Sequence, residues 1–210
     1  FLIKSPSVDV KAKSAVIQSG PSSTSFEKTS LSSKQLPFFS VSNFFSMSFC
    51  FPCFFVRSRD LFAALPGCTL SSHRMEYFES IIQTALPELE RFMNGERNDF
   101  KMEGIADPDV LLWAIWTMQQ YASSTSVEQA SQKYEPICST IISYIRKHKH
   151  PNLFLHNNGL LYVGGTEKPA TWMNAVEDGQ PITPRTGYVV EINALWYNAL
   201  KYTAQLNRSR

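Results

Sequence analysis

The chain has 210 residues, with 20 lysines and arginines against 18 aspartates and glutamates, and 43% of it is hydrophobic. That length suits one ordinary domain, or one domain with an appendage, and the apolar share is enough for a sizeable core. A formal net charge of +2 lacks the electrostatic footprint of a nucleic-acid or anionic-membrane partner, and no apolar run reaches the roughly 18–20 residues that span a bilayer.

Residues 1–49 differ in texture from the rest. "SVDVKAKSAVIQSGPSSTSFEKTSLSSKQ" is serine-rich, without a helical or strand period. Such a segment buries too little apolar surface to offset its ordering entropy, so it is expected to be disordered or loosely attached. The Phe-rich stretch from Pro37 to Phe55 is broken by serines, Asn43 and Pro52, lacks a small-residue cleavage site and does not read as a signal peptide. Cys50 and Cys53 form a C-x-x-C pair with no second pair or nearby histidine, so neither a metal nor a cofactor is expected. Cys68 and Cys138 read as buried thiols in a reducing, cytoplasmic setting.

Residues 50–210 carry the folded domain. Arg57, Arg59 and Asp60 precede an apolar helix start, and Pro66-Gly67 reads as a turn. His73 to Met93 has apolar groups at helical spacing, with Pro87 placed to end or kink it. Asp107 to Ala122 is a second periodic stretch, with Asp107 as N-cap and Pro108 in the first turn. Ser126 to Lys149 is a third, interrupted at Pro136, with basic residues at its end. "LFLHNNGLLYV" reads as a β-hairpin around Asn158-Gly159. A long loop from Gly164 to about Gly187 leads to a last helix, Tyr188 to Ala204. The second helix and the last are apolar or aromatic on nearly all sides, as buried helices of a layered all-helical body are.

Three groups of residues invite a chemical reading. Arg57, Arg59 and Asp60 read either as a cap with its arginines or as the wall of a sugar pocket. Asp107 and Asp109 head the second helix. If Asp107 caps it, Asp109 is left over as a candidate acid, with Trp113 and Trp116 to supply an apolar surround. Thr171 to Tyr202 crowds Trp172, Asn174, Arg185, Glu191, Asn193 and Trp196 into one segment. Aromatic faces pack on the C–H faces of sugar rings while amides and carboxylates bond the hydroxyls. Glu191 and Asn198 share a helix face and need partners, which a polar ligand or other side chains would supply.

These residues resemble a known family. "TWMNAVEDGQPITPRTGYVVEINALWYNALKY" is similar to the signature of the amylo-α-1,6-glucosidase domain of glycogen-debranching enzymes. "FPCF", "RSRDLFAALPG", "DVLLWAIWTMQQY" and "NGLLYVGG" resemble its other blocks, in order, from Phe51 to Tyr202. The resemblance implies an all-α fold, a partial (α/α)6 barrel (six-hairpin toroid) with a small β-hairpin. It implies a cytoplasmic glycosidase that removes α-1,6-linked glucose at branch points of glycogen or limit dextrin with inversion. Asp109 falls on the family's general acid. Arg59, Asp60, Trp172, Arg185 and Glu191 fall on motif positions that line the sugar pocket, and Trp113, Asn174 and Trp196 are read as further substrate-binding residues. Asn174 stands where many members have aspartate, and Cys53 replaces a tryptophan. The family's further helices and its catalytic base are expected beyond Arg210, so the chain reads as a fragment with little activity of its own. The alternatives are a non-catalytic α-glucan-binding fragment and another inverting barrel glycosidase of the glucoamylase type.

Overall fold

A computed structural model describes residues 56–97, 99–165 and 168–209. The serine-rich segment 1–49, Cys50, Cys53 and the "FPCF" block lie outside the described residues. Within them the protein is mostly helical: α1 (Ser58–Thr69), α2 (Met75–Met93), α3 (Val110–Ser124), α4 (Val127–Arg146) and α5 (Val190–Arg208). Three two-stranded sheets join them: β1 (Val56–Arg57) with β2 (Met102–Glu103), β3 (Leu153–Leu155) with β4 (Leu161–Val163), and β5 (Val176–Glu177) with β6 (Gln180–Pro181). Among the described residues no helix is long and apolar enough to cross a membrane.

Helix α3 is the hub and touches α1, α4 and α5. Its apolar residues recur all round, and Val110, Leu111, Leu112, Ala114, Ile115 and Met118 are all buried, as the sequence led one to expect. Helix α2 instead buries one stripe, Phe78, Ile81, Ile82, Ala85, Leu89 and Phe92, at the three- and four-residue spacing of a helix face. Ser126 caps α4, its hydroxyl accepting from the Gln129 N–H at 3.2 Å.

Three prolines lie inside helices, where the sequence pointed to a turn, an end and an interruption. Pro66 lacks the N–H that would bond the Phe62 carbonyl four residues back. The Thr117 hydroxyl of α3 donates to that carbonyl at 2.5 Å instead, so α1 runs through Pro66-Gly67 to Thr69. Around Pro87 and Pro136 the helices also continue. The residues four back, Gln83 and Gln132, are exposed, so water can take the freed carbonyls.

Helix α5 departs from its reading as a helix apolar on every side. It buries Ile192, Trp196, Ala199, Tyr202 and Leu206 on one face, while Val190 and Tyr197 are 79% and 64% exposed. Cys68 is exposed, against its reading as a buried thiol, and Cys138 is buried. The β3–β4 hairpin forms as expected around Asn158-Gly159, with Gly159 at φ +81°. Its anchor is Asn193 in the first turns of α5. The amide oxygen accepts from the Leu161 N–H at 2.8 Å, and the amide nitrogen donates to the carbonyls of Leu161 and Val189 at 3.0 Å each. A side chain read as a possible sugar ligand is spent on joining a strand to a helix.

Candidate active site

The parallel pairing of Val56–Arg57 with Met102–Glu103 sets the start of α1 beside the loop that leads into α3. Ser58 fastens the junction by donating to the Glu103 carbonyl at 2.9 Å. Gly104, at φ +69°, begins the turn that brings Asp107 back, and the Asp107 N–H donates to the Gly104 carbonyl at 2.9 Å. Arg59, in the first turn of α1, then meets both aspartates. Its Nε donates to Asp109 Oδ2 at 2.7 Å and its Nη2 to Asp107 Oδ2 at 2.9 Å.

This geometry corrects the local reading of the helix start. The N-cap residue of α3 is Asp109, not Asp107, and neither carboxylate caps by its side chain. Asp107 and Pro108 precede the helix. The carboxylates are turned to a guanidinium some 50 positions away, and such charge-assisted bonds are about twice as strong as the neutral kind. Asp60 is not Arg59's hydrogen-bond partner; it is exposed in the first turn of α1. Arg59 is 7% exposed and Asp109 2%, and Asp109 Oδ1 is buried with no hydrogen-bond partner among the described residues. Trp113, one turn into α3, is half-buried and meets Trp116 edge to face at 5.3 Å.

Burial pushes the Asp107 carboxyl above the usual carboxylate range; Arg59 pulls it down and Asp109 adds to the rise. A carboxyl that holds its proton more tightly folded than unfolded supports the fold below its unfolded value. It loses that support as pH rises through the folded one. Asp107→Asn is therefore expected to melt at or above the parent's temperature near neutral pH, with its advantage shrinking as pH falls toward about 4. Thermal melts across that range check this. A deficit near neutral pH that vanishes as pH falls through the carboxyl's titration would mark the ionised carboxylate as a net support of Arg59.

The Thr171–Tyr202 segment forms a second polar cluster. Arg185, at φ +51°, pairs with Glu191 at the start of α5 and donates from Nη1 to Met173 Sδ at 3.4 Å. Asn198 donates to Gln119 Oε1 of α3 at 2.7 Å. Both polar groups on that helix face are thus met by other side chains. Trp172 is 64% exposed and Asn174 is exposed beside it. Trp196 is 3% exposed, with its indole N–H donating to the Gly159 carbonyl at 3.3 Å. Among the described residues no hydrogen bond or ion pair joins this cluster to Arg59, Asp107 and Asp109.

Sequence reasoning missed Asp107 as a partner in the site. The signal was present: two aspartates two apart before an apolar helix, when a helix start needs one cap. It also missed a cavity of about 650 Å³ that Asp107 lines.

A family model described as amylo-alpha-1,6-glucosidase matches residues 30–210. No curated protein and no solved structure matches the chain.

Proposed function

The chain belongs to the amylo-alpha-1,6-glucosidase family, a glycosidase-type domain whose substrates are carbohydrates, and on that premise we propose that it acts on the α-1,6-linked glucose at a branch of a glycogen-like glucan. In this reading the helices belong to an (α/α)6 barrel and the ends of α1 and α3 form part of the wall of its reaction centre. Asp109 is the acid. Arg59 holds its Oδ2 at 2.7 Å and Oδ1 makes no hydrogen bond among the described residues, so Oδ1 is the oxygen left to take up a proton and then pass it to the departing glycosidic oxygen. The second carboxylate of an inverting reaction works from the far side of the sugar, about 6.5–9.5 Å away, with room for a water between. Trp172, exposed in the loop before α5, offers a ring face, and Arg185, Glu191 and Asn174 offer hydrogen bonds.

One observation carries the assignment: a buried carboxylate fixed by one oxygen, at the head of a helix, on the family's motif. Its burial also favours the rival reading, a domain that grips glucan without cleaving it. Since the chain by itself is expected to release little glucose, the two are separated in a homologue that carries both carboxylates, by glucose release from a phosphorylase limit dextrin beside calorimetry with the same dextrin. Release from the branched dextrin but not from a linear maltooligosaccharide is expected of the α-1,6 enzyme, and Asp109→Asn should remove that release while binding persists. Release from the linear chain favours a glucoamylase-like enzyme. Binding without release favours the non-catalytic domain, and release that survives Asp109→Asn excludes Asp109 as the acid.

A further inference from the structure

We infer that the cavity beneath the loop entering α3 is a binding subsite for a neutral pyranose ring of an α-glucan, with Asp107 and Asn152 as its hydrogen-bonding walls and Phe100 as its ring platform. For its ligand class this rests on the glycosidase reading above. The volume, about 650 Å³, lies within the usual range of small-molecule sites, roughly 300–1,000 Å³. Its lining combines the rings of Phe92, Phe100 and Tyr144 with the polar and charged side chains of Glu96, Arg97, Asp107, Lys149, Asn152 and Lys168, of both signs. Phe92 and Phe100 meet edge to face at 6.2 Å, and Phe100 is the more open of the two.

The polar walls are held in place and keep part of their hydrogen-bonding capacity. Asp107 gives one oxygen to Arg59, and its other oxygen makes no hydrogen bond among the described residues. The Asn152 side-chain amide makes none either. Each of these side chains lies against a glycine with positive φ. A Cβ at Gly104 would come within 3.0 Å of Asp107 Oδ2, and one at Gly165 within 2.7 Å of Asn152 Oδ1. Both poses thus depend on the absence of a side chain opposite; at Asp107 the oxygen against the glycine is the one bonded to Arg59, and Oδ1 is the acceptor left over. Unspent acceptors beside aromatic faces suit a ligand with hydroxyl donors on its rim and C–H groups on its faces. Burial opposes the Asp107 charge, and a hydroxyl donor would offset that cost. The same carboxylate reaches Asp109 through a single guanidinium, so a ring seated here lies next to the proposed reaction centre.

The probe is maltotriose, titrated by calorimetry into the parent chain, Phe100→Ala and Asp107→Asn, with thermal melts on each. Loss of a stacking face or of a charged acceptor is expected to weaken binding by about tenfold or more, in both variants, at melting temperatures that do not account for it. Binding within about twofold of the parent in both variants, or no binding of maltotriose to the parent, overturns the subsite. Asp107→Asn keeps the test sharp if Phe100→Ala folds poorly. Glucose release from limit dextrin by a homologue that carries both carboxylates, as the parent and with the same two substitutions, judges the glycosidase reading separately. Release with maltotriose binding untouched by either substitution removes the cavity and leaves the enzyme.

Discussion

Arg59→Leu is expected to lower the unfolding free energy by about 3–5 kcal/mol, as measured by chemical denaturation. Leucine fills part of the guanidinium's space but leaves Asp109, 2% exposed, without the charge that faces it. The attraction within a buried pair roughly balances the cost of taking both ions out of water. Removing one partner keeps the cost and loses the attraction. Asp107, more open than Asp109, suffers less. The double substitution Arg59→Leu with Asp109→Asn should recover a substantial part of the loss, because the uncompensated charge goes too. If Arg59→Leu costs less than about 1 kcal/mol, the pair is as weak as a surface bridge, and the case for Arg59 as the clamp of Asp109 fails.

The same pair shows where local reading stops. An aspartate before an apolar run is a good cap by its own chemistry, so Asp107 read as one. What displaced it was a guanidinium brought from another helix by two residues of parallel strand. Pairing that short leaves no period in the sequence. Pro66-Gly67 was misread for a like reason: the carbonyl that proline strands is satisfied by Thr117, a residue of α3. Signals confined to a few neighbouring residues carried over intact. Asn158-Gly159 made its hairpin, and α3 its all-round burial. The family resemblance supplied Arg59 and Asp109 as site residues without the contact between them. No local pattern reveals the cavity, whose walls come from three separate stretches of chain, 92–108, 144–152 and 165–170.

Trp196 admits two readings with opposite consequences. Read from the sequence it is a sugar-binding ring. In the structure it is a core residue, 3% exposed, whose N–H reaches the hairpin's Gly159 carbonyl. A buried tryptophan cut to alanine loses its apolar contacts and leaves a void, so Trp196→Ala is expected to cost about 3–5 kcal/mol. Trp196→Phe keeps most of the packing and gives up the one hydrogen bond, a loss of about 1 kcal/mol. Denaturation curves for both variants check the pair of values. A stacking residue behaves the other way: alanine there would leave stability nearly unchanged and reduce glucan affinity, as is expected at exposed Trp172. If Trp196→Ala unfolds like the parent but binds limit dextrin more weakly, the indole faces the ligand. In that case the hairpin, which now seats its turn on that ring, must be able to lift away from α5.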